Sequence, residues 1–250
     1  MLSPRRCQAW HNKAGDGTPF SRREAMPLPT IIHRVSIPHL PTSLVEAWAG
    51  VPVTIAVDLF QGHTLVDPAI RPLRPFGDAP RLAGRAVTAW CEPGDYGPVH
   101  HAIAVAGRGD VVVVDAGGRP DRAMIGELLS GAARRKGIAG VVVDGPVRDV
   151  GTLAAWGDFP VFARGSTPRG PASMEWGAVN RVVAFGGIEV TPGDIILGDD
   201  DGLVVIPAGE AEKRLAAAEA MTRAEVEWEA TLAQGRSTVE VFKVPAARRA

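Results

Sequence analysis

At 250 residues the chain is long enough for one large domain or two small ones, and 46% hydrophobic with 22% charged residues suffices to bury a core. A formal net charge of −1 gives no bulk attraction to nucleic acid or to an anionic membrane. Cys7 and Cys91 provide neither a disulfide framework nor a metal-spaced pair, and no apolar run approaches the roughly 18 residues of a membrane span. The expectation is a cytoplasmic protein with no nucleic-acid and no membrane partner.

Residues 1–25 carry arginines but no apolar h-region, so they do not read as a secretory signal. They read as a disordered N-terminal extension, with Met26 as an alternative initiator, followed by an α/β domain over 26–250. Thr42 or Ser43 can cap a short helix reaching Trp48. The apolar run 51–59 fits strand or helix. Leu82 to Trp90 reads as a strand, 92–98 as a Gly/Pro loop, and His100 to Ala106 as a helix with Ile103 on its buried face.

The centre of the chain is a strand–loop–helix–strand unit over Val111–Asp149. Val111–Val114 ends at Asp115, a Gly-rich loop follows, and Val141–Val143 closes on Asp144-Gly145-Pro146-Val147-Arg148-Asp149. Between them Ile125, Leu128, Leu129, Ala132 and Ala133 fall on one helical stripe. Arg134, Arg135 and Lys136 suit the last turn of that helix, and Gly137 suits its C′ position. A short helix (Val150–Trp156) and a strand (Pro160–Ala163) come next. From Arg181 the pattern turns to β hairpins, with Asp201-Gly202 as a turn. Ala208 to Gln234 is a long helix with Leu215, Ala218, Met221 and Val226 as buried positions. The fold class is α/β, a single-domain layered sandwich with mixed sheets.

Most motif readings fail on context. The chain has no phosphate-binding GxxxxGK[ST] loop, and Gly107-Arg108-Gly109 precedes a strand rather than a helix, so a nucleotide-like cofactor is not expected. His100 and His101 are adjacent and face different ways on a helix. Asp199-Asp200-Asp201 lacks the alternating oxygens of a calcium loop and reads as a solvated turn.

One constellation survives. Glu127, in the Gly126-Glu127-Leu128-Leu129 turn, and Arg148-Asp149 both follow the carboxyl ends of core strands, the edge where α/β proteins bind ligands. The first turn of the helix leaves backbone N–H groups open to an anion. Arg148 offers a planar bidentate donor for a carboxylate, and Asp149 with Glu127 offers hard oxygens suited to Mg²⁺ or Mn²⁺. The alternative is a surface ion pair in which Asp149 caps the helix that follows it.

These pieces resemble the RraA-like family, which includes the class II 4-hydroxy-4-methyl-2-oxoglutarate/4-carboxy-4-hydroxy-2-oxoadipate aldolases. The matching residues are Gly84-Arg85-Ala86-Val87-Thr88 with Gly94-Asp95, Gly109 to Asp115, Gly126 to Leu129, and Gly140 to Gly145 with Arg148-Asp149. Pro160 to Gly165, Pro192-Gly193-Asp194, Asp199, Asp201 and Gly202 complete them, over roughly residues 45–235.

The resemblance implies a swivelling β/β/α-like fold assembled as homotrimers or homohexamers. It implies a metal-binding role for Asp149, and Arg148 as the arginine that binds pyruvate and faces the enolate. The Gly126–Leu129 backbone would hold the substrate carboxylate, and Glu127 a metal-linked water. A glutamate from a neighbouring subunit's C-terminal helix (Glu225, Glu227 or Glu229) would complete that shell. The implied activity is metal-dependent retro-aldol cleavage of a 4-hydroxy-2-oxo acid to pyruvate and a second oxo compound, with oxaloacetate decarboxylation as a side activity.

The chain departs from the pattern at Thr152, where many aldolases carry an acidic residue, at Tyr96, where the family often has Asn, and at Glu127, an Asp in some members. These departures bear on the substrate. The reading from a different class is a non-catalytic regulator of the ribonuclease E inhibitor type.

Overall fold

The computed structural model describes residues 29–37, 40–77, 79 and 81–248. Cys7, the reading of residues 1–25 and the Met26 start lie outside the described residues. In chain order the elements are β1 (Ile31–Ile32), α1 (Thr42–Ala49), α2 (Val53–Leu59), β2 (Arg71–Pro72), β3 (Leu82–Cys91), α3 (Gly97–Val105), β4 (Asp110–Asp115) and α4 (Glu127–Lys136). They continue as β5 (Gly140–Val147), α5 (Val150–Ala155), β6 (Val161–Ser166), β7 (Gly177–Val179), β8 (Val183–Phe185) and β9 (Ile188–Val190). The last are β10 (Ile195–Asp199), β11 (Gly202–Ile206), α6 (Ala208–Ala233) and α7 (Thr238–Val241).

Strands β3, β4, β5 and β6 lie side by side in that order and parallel, joined by crossovers through α3, α4 and α5. The central pair, β4 and β5, carries unbroken valine runs because both faces are covered. On one face Val112, Val114, Val141 and Val143 pack against Val99, Ile103, Ala133 and Leu153 from the three crossover helices. On the other, Val111, Val113 and Val142 meet Phe162, Phe185, Val190 and Ile196. The sheet forks at β3, whose first half pairs antiparallel with β10 and whose last residues pair antiparallel with β7. This is an α/β fold with a mixed sheet. A third apolar cluster seats α1, α2 and α6 on β10 and β11, where Trp48 donates from its indole N–H to the Ala211 carbonyl at 3.0 Å.

Several local expectations change. Residues 53–59, left open between strand and helix by the sequence, are helical, their Val53, Ile55 and Ala56 buried in that third cluster. The β10–β11 turn is Asp200-Asp201, one residue earlier than read, with Gly202 already paired to Asp199 and holding a φ of 142°. The stripe assigned to α4 is wrong in detail. Helix α4 starts only at Glu127, so Ile125 is buried as part of the segment before it. The face α4 turns inward is Ser130, Gly131 and Ala133, whose small size brings the helix close to the sheet, while Leu128 is 80% exposed and Ala132 is exposed. In α6 Ala218 is buried and Leu215 and Met221 are half-buried, but Val226 is 63% exposed because the helix has run past the body by that point. Trp228 there stacks edge-on against Phe242 of the segment that folds back, with ring centres 5.4 Å apart. Among the described residues no single helix is long and apolar enough to cross a membrane.

Candidate active site

The site begins where β4 and β5 end. After Asp115 the chain crosses residues 116–126 before entering α4, and two backbone hydrogen bonds lay the end of that crossing alongside β5. The Met124 N–H donates to the Pro146 carbonyl, and the Arg148 N–H to the Ile125 carbonyl, each at 3.0 Å. Gly126 is thereby pressed against Arg148 and Asp149. A Cβ on Gly126 would stand 2.5 Å from Asp149 Oδ2 and 2.8 Å from Arg148 Cγ, so the approach needs glycine.

Asp149 takes a left-handed backbone, φ 58° and ψ 33°, which Asp tolerates better than most residues. It stands at the N-cap position of α5 but makes no side-chain cap there. Its Oδ2 accepts the Glu127 N–H at 3.0 Å instead. The carboxylate therefore sits at the positive end of α4, on the first of the N–H groups that a helix leaves open. Ser130 N–H makes the first bond of the helix, to the Gly126 carbonyl, so the N–H groups of Leu128 and Leu129 have no acceptor within α4.

Arg148 Nε lies 3.8 Å from Asp149 Oδ2, beyond hydrogen-bond distance, and both side chains are a little over two-fifths exposed. Among the described residues no hydrogen bond occupies the Arg148 guanidinium or the Glu127 carboxylate. Of the alternative reading, the cap on α5 is absent, since Asp149 serves α4, while the partly exposed Arg148–Asp149 pair is present at 3.8 Å and leaves the arginine's hydrogen-bond donors available. Glu127, Leu128, Arg148, Asp149, Val150, Gly151, Thr152, Ser166, Thr167 and Pro168 line an open cleft of about 680 Å³.

The donor set can be tested against a metal ion. Hard carboxylate oxygens from Asp149 and Glu127 face one cleft, and among the described residues no three His, Cys, Asp or Glu side chains converge. That falls short of the three protein ligands of a catalytic zinc site. It fits Mg²⁺ or Mn²⁺, which bind through one or two carboxylates and keep several waters or substrate oxygens. Glu225, Glu227 and Glu229 lie on the exposed second half of α6, and their carboxylates make no ion pair among the described residues. Since no three His, Cys, Asp or Glu side chains gather among the described residues, one chain does not add any of them to Asp149 and Glu127.

Five other acidic groups, Asp95, Asp115, Asp144, Asp199 and Asp200, have structural work. Asp95 is buried, which alone would raise its pKa, but hydrogen bonds from the Ser173 hydroxyl and the Trp176 and Gly97 N–H groups outweigh burial and hold it below its ordinary value. Asp115 and Asp144 face each other across β4 and β5. Burial pushes Asp115 up, with Asp144 adding to the rise, while Asp144 is neutralised by Arg164 and accepts the Gly186 N–H at 2.8 Å. The Asp199 and Asp200 carboxylates accept from the Val53 and Phe76 N–H groups. His100 packs edge-on against Tyr96, 4.8 Å between ring centres. A smaller, more closed cavity of about 320 Å³ lies at the opposite ends of the strands, lined chiefly by Leu73, Phe76, Leu82, Phe159 and Val161. It gathers Asp158 and two arginines but no second carboxylate, so it does not compete for metal chemistry.

A model of the RraA-like family, described as Aldolase/RraA, matches residues 42–205. The chain belongs to the RraA-like family. A relative from Halalkalibacterium halodurans, named "Putative 4-hydroxy-4-methyl-2-oxoglutarate aldolase", is 38% identical over 165 residues, covering 66% of this chain and 77% of the relative. Among solved structures, Streptomyces coelicolor RraAS2, described as an unusual member of the RNase ES inhibitor RraA protein family, is 28% identical with a TM-score of 0.67. The match covers 77% of this chain and 97% of that one. The RNA-processing inhibitor RraA from Thermus thermophilis is 34% identical with a TM-score of 0.55, covering 62% and 92%. RraA-like proteins thus carry both an aldolase name and an inhibitor name on one fold.

Sequence reasoning singled out Gly126, Glu127, Leu128, Arg148 and Asp149; the structure sets Glu127, Leu128, Arg148 and Asp149 on one cleft, with Gly126 against Arg148 and Asp149. Leu129 follows in the same turn with its side chain half-buried against the core and off the cleft, so it can serve the site only through its backbone N–H. It missed the third wall of this RraA-like cleft, Ser166, Thr167 and Pro168. The same edge rule would have found it, since Ser166 ends β6 and Thr167 and Pro168 follow it as Arg148 and Asp149 follow β5.

Proposed function

We propose that this RraA-like protein is a divalent-metal-dependent carbon–carbon lyase that cleaves a 4-hydroxy-2-oxo acid to pyruvate and a second oxo compound. The observation that carries this reading is the meeting, in one cleft, of an unoccupied guanidinium, two carboxylates and the open start of a helix. The N–H groups of Leu128 and Leu129 bind the substrate's C1 carboxylate at the positive end of α4. Arg148 faces the C2 oxygen. Through an intervening water, Glu127 accepts the proton of the C4 hydroxyl.

As that proton leaves, the C4 oxygen forms a carbonyl, the C3–C4 bond breaks and its electron pair moves into the C2–C3 enolate. Arg148 stabilises the charge that gathers on the C2 oxygen. Protonation of C3 then gives pyruvate. Mg²⁺ or Mn²⁺, held by Asp149 with Glu127 nearby, would act as a Lewis acid toward the C2 carbonyl and C1 carboxylate. Oxaloacetate would lose CO₂ through the same enolate. Assembly as a homotrimer or homohexamer, with Glu225, Glu227 or Glu229 of a neighbour beside the cleft, belongs to the same proposal.

The reading is supported by the aldolase name of the Halalkalibacterium halodurans relative. A second reading, a protein-binding regulator, is favoured by the inhibitor names of the Streptomyces and Thermus structures. Pyruvate release from 4-hydroxy-4-methyl-2-oxoglutarate and from oxaloacetate, with Mg²⁺ and with EDTA, separates them. A regulator releases none and instead is recovered with a protein partner.

A further inference from the structure

Gly170 lies in the segment that follows β6, and a Cβ built on it would stand 2.8 Å from Arg148 Nη1. Nearer the backbone along the same side chain, a Cβ on Gly126 would lie 3.2 Å from Arg148 Nε. The guanidinium therefore occupies a slot between two glycine backbones.

The outer wall of that slot is fixed in place. Arg122 Nη1 donates to the Gly170 carbonyl at 3.0 Å, and the Ala123 N–H to the Arg169 carbonyl at 2.8 Å. Farther along, the Ala172 N–H donates to the Gly94 carbonyl at 2.7 Å, and the Trp176 N–H reaches the buried Asp95 at 2.8 Å. The run 122–126 thus carries one wall and anchors the other. Gly170 is outside the left-handed region, so any L residue can adopt its backbone. What glycine supplies there is space. The atom that a Cβ would meet is the end of a flexible side chain, which can swing aside without unfolding the segment.

We infer that Gly170 is a positioning residue: by lacking a Cβ it lets the Arg148 guanidinium lie back against residues 167–172, which fixes where the paired N–H donors meet the substrate. The inference rests on the reading of Arg148 as the partner of an oxo acid. A displacement of about 1 Å in such a group can cost on the order of 100-fold in rate.

The test uses the full chain with Gly170→Ala and Gly170→Ser, and Gly157→Ala as control, because a Cβ at Gly157 meets nothing within 4 Å. Three quantities are read: the Arg148 Nε–H resonance (assigned by its loss in Arg148→Lys), the unfolding temperature, and kcat for oxaloacetate decarboxylation. Gly170→Ala and Gly170→Ser are expected to move the resonance and lower kcat by about tenfold or more. Unfolding should stay within about 2 °C of the parent. In the Arg148→Lys background the same substitutions should cost no more than about twofold, since the guanidinium is already gone. Gly157→Ala should leave the resonance and kcat unchanged.

An unmoved resonance, an unchanged kcat, an equal loss in both backgrounds, or failure of both Gly170 variants to fold would each overturn the inference. A parent protein that releases no pyruvate would remove the lyase reading instead. The resonance would then still decide whether Gly170 sets the place of Arg148.

Discussion

Asp149 combines two demands that substitutions can separate. Its backbone is left-handed, and its Oδ2 accepts the Glu127 N–H at 3.0 Å. Asparagine tolerates the same backbone and keeps an acceptor oxygen, but removes the charge. Alanine removes the acceptor and also dislikes the backbone. A left-handed alanine costs about 1 kcal/mol, and losing one hydrogen bond at a half-exposed site costs about another 1 kcal/mol. Asp149→Ala should therefore lose about 2 kcal/mol and unfold some 4–8 °C lower, at about 2–4 °C per kcal/mol for a chain of this size. Asp149→Asn should lose less than about 1 kcal/mol, mostly the favourable charge at the start of α4. Both should lose metal-dependent pyruvate release to the same degree, since neither offers a carboxylate. Differential scanning calorimetry beside a coupled pyruvate assay reads both effects. Equal unfolding temperatures for the two variants would refute the argument from backbone and cap. Retained activity in Asp149→Asn would refute the metal-holding role.

Other perturbations reach different parts of the account. Arg148→Ala should lower pyruvate release by at least about 100-fold, as for loss of an oxyanion donor, whereas Arg148→Lys should retain part of it through a single point charge; steady-state rates on oxaloacetate check both. Gly126→Ala should displace Asp149 from the Glu127 N–H and abolish turnover, because its Cβ would fall 2.5 Å from Asp149 Oδ2; oxalate binding by calorimetry should weaken in parallel. Trp48→Phe removes the 3.0 Å indole bond to the Ala211 carbonyl, which keeps its helical partner within α6, and should cost about 0.5–1.5 kcal/mol in urea unfolding.

Asp95 gives a pH prediction. Its pKa is held below the ordinary 3.8, so its contribution is fully present above that value and is lost as pH falls through the lower folded value. Wild-type stability should therefore fall more steeply below about pH 4 than that of Asp95→Asn, and parallel curves would contradict the assignment.

Much of this architecture was legible because it rests on short-range physics. The Val111–Val114 and Val141–Val143 runs, unbroken and β-branched, read as strands and are buried strands, and Gly137 with Arg134, Arg135 and Lys136 marked the end of α4. The start of α4 was not legible in the same way. Ile125 continues the helical spacing of Leu128 and Leu129, yet it is buried by pairing beside β5, a contact with Arg148 that no local pattern encodes. Val226 misled for the opposite reason: it keeps the spacing of α6 after the helix has left the surface that Ala211 and Ala218 pack on. At the candidate site, the edge rule singled out Glu127, Arg148 and Asp149, and the structure sets all three on one cleft. The turn of Asp149 toward α4 rather than α5 depends on a left-handed backbone, which spacing does not reveal.

The most direct test of the central claim is pyruvate formation from 4-hydroxy-4-methyl-2-oxoglutarate by the purified chain, followed with added Mg²⁺ and again after EDTA. The account predicts release that requires the metal and disappears in Arg148→Ala. No release with Mg²⁺ or Mn²⁺, or an equal rate in EDTA, would contradict it.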